Sequence, residues 1–182
     1  AGKETRFEGE RPKTLSLYKG RSFLDRNIEV LTPLCDRVVV VASKENQEWF
    51  GDYDNIVIDS GYGCGDAVMK ALSSLEFEDC DECFIVWGDC LCQRARVISF
   101  FGEGDKDRIF VPCVWEENPY VAINMNEDGR LDVRFSKYGE VDGPGFHDLG
   151  FFYGNCKLIL NKLNEFAQKI TFEGEYRHKH GN

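Results

Sequence analysis

Apolar residues recur at helical spacing across Phe23–Leu31 (FLDRNIEVL), with Pro33 just beyond, and this spacing predicts a helix. The pattern then changes period. Residues 37–42 (RVVVVA) form a β-branched run too uniformly apolar for a surface element, as expected of a strand buried on both faces. A short strand is predicted over 55–58, followed by a glycine-rich turn, a helix over 66–75 and a strand over 83–87 that ends at Gly88-Asp89. Helix, strand, strand, helix, strand is the order of an open α/β sheet.

The second half reads differently. Strand-like pieces cover 108–114, 121–125 and 130–135, and the last two are joined by Asn126-Glu127-Asp128-Gly129, a hairpin turn. A loop over 139–145 (GEVDGPG), a strand over 147–153 and a helix over 157–170 complete the pattern. The expected fold is α/β: one Rossmann-like domain over 1–182, with a mixed, mainly parallel central sheet flanked by helices and an inserted antiparallel section.

Composition narrows the class. The 182 residues are 42% hydrophobic, enough for one well-cored domain and too few for two ordinary ones. A net charge of −10 argues against a general nucleic-acid surface, which needs many cations to displace phosphate counterions. No apolar run approaches the roughly 20 residues that span a bilayer, and no signal peptide is visible, so neither nucleic acid nor membrane is expected as a partner. Of the eight cysteines, Cys35, Cys83, Cys113 and Cys156 lie in or beside apolar runs and read as small core residues in a reducing, cytoplasmic compartment. Cys80 and Cys83, followed by Cys90 and Cys92, make the best case for zinc. The case is weakened because a strand beginning at Cys83 turns alternate side chains to opposite faces.

The candidate chemistry starts at the N-terminus. Residues 1–13 (AGKETRFEGERPK) combine a glycine-permissive turn, whose N–H groups suit an anionic triphosphate, with the cations Arg6, Arg11 and Lys13. Such a loop normally follows a buried strand, so the sequence is expected to lack its first strand, and the polar ending GEYRHKHGN suggests that C-terminal elements are missing too. Asp89, just after a buried strand, is placed to hold Mg²⁺ against nucleotide phosphates, or simply to cap the following turn. In residues 60–68 (SGYGCGDAV), three glycines in five positions let backbone groups approach a flat base. The same glycines also suit a tight turn that opens a helix, with the Asp66 charge favoured near its N-terminus.

Taken in order, AGKETRF with a distal Pro12-Lys13, GYGCGDAV and VWGD resemble the sugar-phosphate nucleotidyltransferases of GT-A-like fold. ENPYVAI with its EDGR hairpin, and HDLGFF, look like segments of N-acetylglucosamine-1-phosphate uridylyltransferase catalytic domains. The resemblance implies that Ala1, Gly2, Lys3, Thr5 and Arg6 hold the triphosphate and that Lys13 neutralises charge at the α-phosphate. Gly61, Tyr62, Gly63, Cys64, Gly65 and Asp66 would border the base, and Asp89 would bind Mg²⁺. Tyr120, Lys137 and Asp148 would face a small phosphorylated acceptor, a sugar 1-phosphate. The implied reaction is in-line attack by an acceptor phosphate oxygen on the α-phosphorus of an NTP, with release of pyrophosphate.

Some positions depart from the family pattern. Glu4 puts a carboxylate in the triphosphate loop, and Phe135 stands where the uridylyltransferases carry a sugar-contacting Glu. His147 reads as a strand-end residue rather than a base, and His178 and His180 as part of a polar tail. Two other readings stay open: a glycosyltransferase of related fold, for which the sequence offers GDC in place of a D-x-D motif, and a catalytically inactive nucleotide-binding module, for which Glu4 is the only hint.

Overall fold

The computed structural model describes residues 11–59, 63–100, 108–128, 131–135, 139 and 143–173. After a 3-10 turn at Lys13–Leu15, a small antiparallel hairpin of β1 (Leu17–Tyr18) and β2 (Arg21–Ser22) leads into helix α1 (Phe23–Leu31). Ser22 caps that helix: its Oγ accepts from the Asp25 N–H at 2.9 Å. Asp25 answers with its carboxylate, which the Ser22 hydroxyl holds below the usual range, aided by the Tyr53 hydroxyl donating to Oδ1 at 2.8 Å. This reciprocal cap fixes where α1 starts.

Ser22→Ala is therefore expected to cost about 1 kcal/mol at neutral pH. Because the folded-state pKa of Asp25 is depressed, its contribution is present above the unfolded carboxylate pKa and is lost as pH falls through the folded value. The difference between wild type and variant in denaturant unfolding should accordingly shrink in acid.

Strand β3 (Val40–Ser43) pairs in parallel with β4 (Ile56–Asp59), Val40 opposite Ile56 and Ala42 opposite Ile58. A 3-10 segment, Lys44–Phe50, lies between them, and α2 (Cys64–Ser73) follows β4. Strand β5 (Glu82–Val86) ends at the Gly88-Asp89 turn, and α3 (Arg94–Phe100) comes next. The remaining elements are β6 (Ile109–Phe110), β7 (Cys113–Glu116), β8 (Val121–Met125), β9 (Leu131–Phe135), β10 (Gly145–Asp148), β11 (Phe151–Asn155) and α4 (Cys156–Glu173). Strand β11 runs antiparallel between β5 and β6, while β7, β10, β8 and β9 form an antiparallel sheet in that order.

The mixed α/β architecture agrees with the sequence reading, but most ladders among the described strands are antiparallel; only β3–β4 is parallel. Two expected strands are each divided. Pro112, which has no N–H to donate, separates β6 from β7, and Gly150, at φ +76°, turns the chain between β10 and β11. Helix α4 begins at Cys156 rather than 157 because buried Asn155 caps it, its Oδ1 accepting from the Leu158 N–H at 2.9 Å.

Two apolar clusters hold the layers together. Leu24 of α1 packs with Val40, Ala42 and Phe50, and Leu15 joins from the first 3-10 turn. Leu72 of α2 packs with Cys156 and Ile159 of α4, with Cys83 and Ile85 of β5 against them. Cys156 is buried and Cys35 and Cys83 are partly buried, as expected of core thiols, whereas Cys113 is exposed on β7. A cavity of about 2070 Å³ opens along both β3 and β5, which have no ladder with each other among the described strands. Its depth is lined by apolar residues such as Val40, Ile85 and Leu72.

Candidate active site

Lys13 and Asp89 meet at this cavity. The 3-10 turn that carries Lys13 is closed by Leu15 N–H donating to the Pro12 carbonyl at 2.8 Å and Ser16 N–H to the Lys13 carbonyl at 3.0 Å. Pro12 is buried and Leu15 packs on the α1 cluster, so the turn is anchored on either side of an exposed lysine. Asp89 sits in a tight turn closed by Cys90 N–H to the Trp87 carbonyl at 2.9 Å, and Trp87 N–H donates to the Gly150 carbonyl at 2.8 Å. Lys13 Nζ donates to Asp89 Oδ2 at 2.6 Å, with the side chains 51% and 36% exposed. A pair this exposed contributes about 0–1 kcal/mol, so stability alone does not account for it.

The backbone between the partners is closely fitted. A Cβ added to Gly88 would stand 2.7 Å from Thr14 Cγ2, so this glycine lets the Lys13 turn lie against the Asp89 turn. On the other side, Asp148 Oδ1 accepts from the Gly150 N–H at 2.9 Å. The Cys90 thiol is pushed up to about 11, first by burial and then by the charges of Asp89 and Asp148, with Lys13 opposing. Burial and the neighbouring carboxylates thus favour the protonated thiol of Cys90 at neutral pH. Among the described residues, no three His, Cys, Asp or Glu side chains converge as a metal cluster, which leaves the zinc reading of Cys80, Cys83, Cys90 and Cys92 without support.

The glycine-rich turn reaches the same cavity at one point. Gly63, at φ +114°, precedes α2, and its carbonyl accepts from the Ala67 N–H at 3.1 Å. Cys64 lines the cavity with Lys13, Asp89 and Tyr120, so four expected site residues from four separate segments surround one space. Asp66 and Asp148 do not line it. Asp66 lies 3.9 Å from Lys70 one turn along α2, and Asp148 holds the β10–β11 turn. Gly65 packs toward Leu163 of α4, with 3.4 Å available to an added Cβ. Ala1, Gly2, Lys3, Glu4, Thr5, Arg6, Gly61, Tyr62, Lys137, His178 and His180 lie outside the described residues.

Residues 1–127 match the family model described as the MobA-like NTP transferase domain. The chain belongs to that family. Solved structures similar to this NTP transferase include HddC from Yersinia pseudotuberculosis, at 18% identity and a TM-score of 0.60, covering 85% of this chain and 72% of that one. The same protein complexed with GMP-PN gives 18% identity and a TM-score of 0.60, with coverage of 86% and 73%. A 4-diphosphocytidyl-2C-methyl-D-erythritol synthase from Anaerococcus prevotii DSM 20548 gives 12% identity and a TM-score of 0.59, with coverage of 87% and 72%. These structures share the GT-A-like fold of the transferase. No curated protein matches its sequence.

Three residues that position the Lys13–Asp89 pair carry no motif. Thr14 forms the contact with Gly88, and Gly150 supplies the carbonyl under Trp87. Asn27, buried on α1, bonds the backbone just after Asp89. Only Asn27 left a trace in the sequence, as a polar residue one turn from Leu24 and Leu31 on the apolar stripe. His147 Nδ1 accepts from the Val121 N–H at 3.4 Å, in keeping with a strand-end residue. No described helix of the transferase is long and apolar enough to cross a membrane.

Proposed function

We propose that this NTP transferase moves a nucleoside monophosphate from an NTP to a small phosphorylated acceptor, a sugar 1-phosphate, releasing pyrophosphate, with residues 1–182 acting as one nucleotidyltransferase domain in a reducing cytoplasm. The observation that carries the reading is the Lys13–Asp89 pair: two residues 76 positions apart brought to 2.6 Å at the edge of a cavity, in a family of NTP transferases.

Mg²⁺ fits the residues present. Asp89 offers hard carboxylate oxygens at the cavity edge, and the cation commonly uses one or two protein carboxylates together with substrate phosphates rather than a full protein cage. Bound there, Mg²⁺ would supply charge neutralisation across the phosphates. Lys13 would exchange its Asp89 partner for an α-phosphate oxygen, while Arg6 and the backbone of Ala1, Gly2, Lys3 and Thr5 hold the rest of the triphosphate. Gly61, Tyr62, Gly63, Cys64, Gly65 and Asp66 would border the base. Tyr120, Lys137 and Asp148 would orient the acceptor, Tyr120 from the cavity wall and Asp148 by shaping the turn beside Cys90.

The acceptor phosphate oxygen then forms a bond to the α-phosphorus as the bond to the β-phosphate bridging oxygen breaks. The electron pair leaves with pyrophosphate. The charge is spread over the transferring group, so fixed cations suffice and no covalent nucleophile is needed.

Pyrophosphate release from ATP, CTP, GTP, UTP and dTTP, each with a panel of sugar 1-phosphates and Mg²⁺, tests the reading. One NTP with one acceptor class should turn over. Absence of turnover together with preferential binding of a nucleotide sugar would replace the reading with the glycosyltransferase. Gly88→Ala is expected to lower the productive rate about tenfold or more by pushing Thr14, and Lys13 with it, away from Asp89. An unchanged rate would show that the spacing of the two turns does not matter.

A further inference from the structure

Asn27 is 4% exposed in the middle of α1, flanked on the same helix face by buried Leu24 and Leu31. Burying an amide costs free energy unless its groups find partners. Both ends of this one do: Nδ2 donates to the Cys90 carbonyl at 2.7 Å, and Oδ1 accepts from the Cys92 N–H at 2.8 Å. Residues 90–92 belong to no helix or strand, so a single side chain supplies the pairing that secondary structure would otherwise provide.

The position of this clamp matters more than its strength. The Asp89 turn is held from upstream by Trp87 N–H on the Gly150 carbonyl and from downstream by Asn27 on Cys90 and Cys92. Lys13 is referred to the same helix, because Leu15, two residues on, packs on the cluster that contains Leu24 and Ile28. Helix α1 thus serves both halves of the site. It locates Lys13 through apolar packing and Asp89 through one buried amide.

We propose that Asn27 is a positioning residue that sets the Asp89 carboxylate against Lys13 and so makes metal-dependent nucleotide binding depend on α1. The proposal rests on the reading of Asp89 as the Mg²⁺-side carboxylate. Asn27→Leu keeps the γ-branched shape and the number of heavy atoms and removes both hydrogen bonds. It should speed hydrogen exchange at the Cys92 amide at least about tenfold and raise the Mg²⁺ concentration for half-maximal NTP binding about tenfold, as loss of a partner behind a ligand typically does. Nucleotide affinity measured by calorimetry without metal should stay within about twofold.

If Asn27→Leu does not fold, Asn27→Gln carries the test. It retains both groups on a stem one methylene longer, and a Mg²⁺ shift of about threefold or more is expected. A Mg²⁺ requirement within twofold of wild type in the folded variant, or an unchanged Cys92 exchange rate in Asn27→Leu, overturns the proposal. Asp89→Ala, run alongside, separates the two claims: if it keeps the wild-type Mg²⁺ requirement, the reading of Asp89 fails whatever Asn27 does.

Discussion

Asp89→Ala is expected to reduce pyrophosphate release by about 10³-fold, and Lys13→Ala by about 10²-fold or more, the range found when one preorganised charge-stabilising group is removed. Stability should hardly change. The pair is solvent-exposed on both sides, so losing it costs about 1 kcal/mol at most, and thermal melting of either variant should stay within a few degrees of wild type. The contrast is what makes the substitutions informative, because a structural ion pair would lose stability and rate together. The double variant should lose less than the product of the single losses, since both groups act on the same triphosphate. Full activity in both single variants, assayed at saturating NTP and Mg²⁺, would dissociate the pair from the chemistry.

Gly150→Ala should be strongly destabilising. At φ +76° an L-residue is strained by roughly 1–2 kcal/mol. The added Cβ would also collide with Cys90 Sγ, 3.0 Å from Cys90 Cβ and 3.0 Å from Trp87 Cδ1. Overpacking of this kind costs about 1–3 kcal/mol, so a loss near 3 kcal/mol is expected in denaturant unfolding. Because Cys90 and Trp87 flank Asp89, the same change should impair Mg²⁺-dependent binding. Cys90→Ala in the Gly150→Ala background should recover part of the stability, as it removes the sulfur from the collision. A loss below 0.5 kcal/mol would mean that the turn has another conformation open to it.

Some of this arrangement was legible in the sequence for clear reasons. Helix α1 is bounded where the apolar spacing places it because Ser22 caps one end and Pro33 closes the other, and β8 keeps the expected bounds 121–125. Lys13 and Asp89 stood out as candidates because each belongs to a short motif of residue types suited to phosphate chemistry. Their contact was not, since it depends on Gly88 leaving room for Thr14.

The direction of the sheet escaped for a similar reason. Strand β5 reads as a buried strand, and such a run looks the same whether its neighbour is parallel or antiparallel. Its actual partner is β11, aligned as Val86 with Phe151 and Glu82 with Asn155 across more than sixty residues of chain. The 3-10 segment Lys44–Phe50 has no apolar period, and Phe50 alone is buried there, so no element is legible in its sequence. Asn27 broke an apolar stripe without a motif to explain it. Its reason lies 63 residues away at Cys90.

Calorimetric binding of the five NTPs and their diphosphates, with and without Mg²⁺, to wild type and to Asp89→Ala tests the central claim most directly. One triphosphate should bind wild type more tightly than its diphosphate in the presence of Mg²⁺, and that gain should vanish in Asp89→Ala. A Mg²⁺ gain that survives in Asp89→Ala, or a nucleotide sugar bound in preference to every triphosphate, would contradict the assignment of the Lys13–Asp89 edge as the place where the NTP is opened.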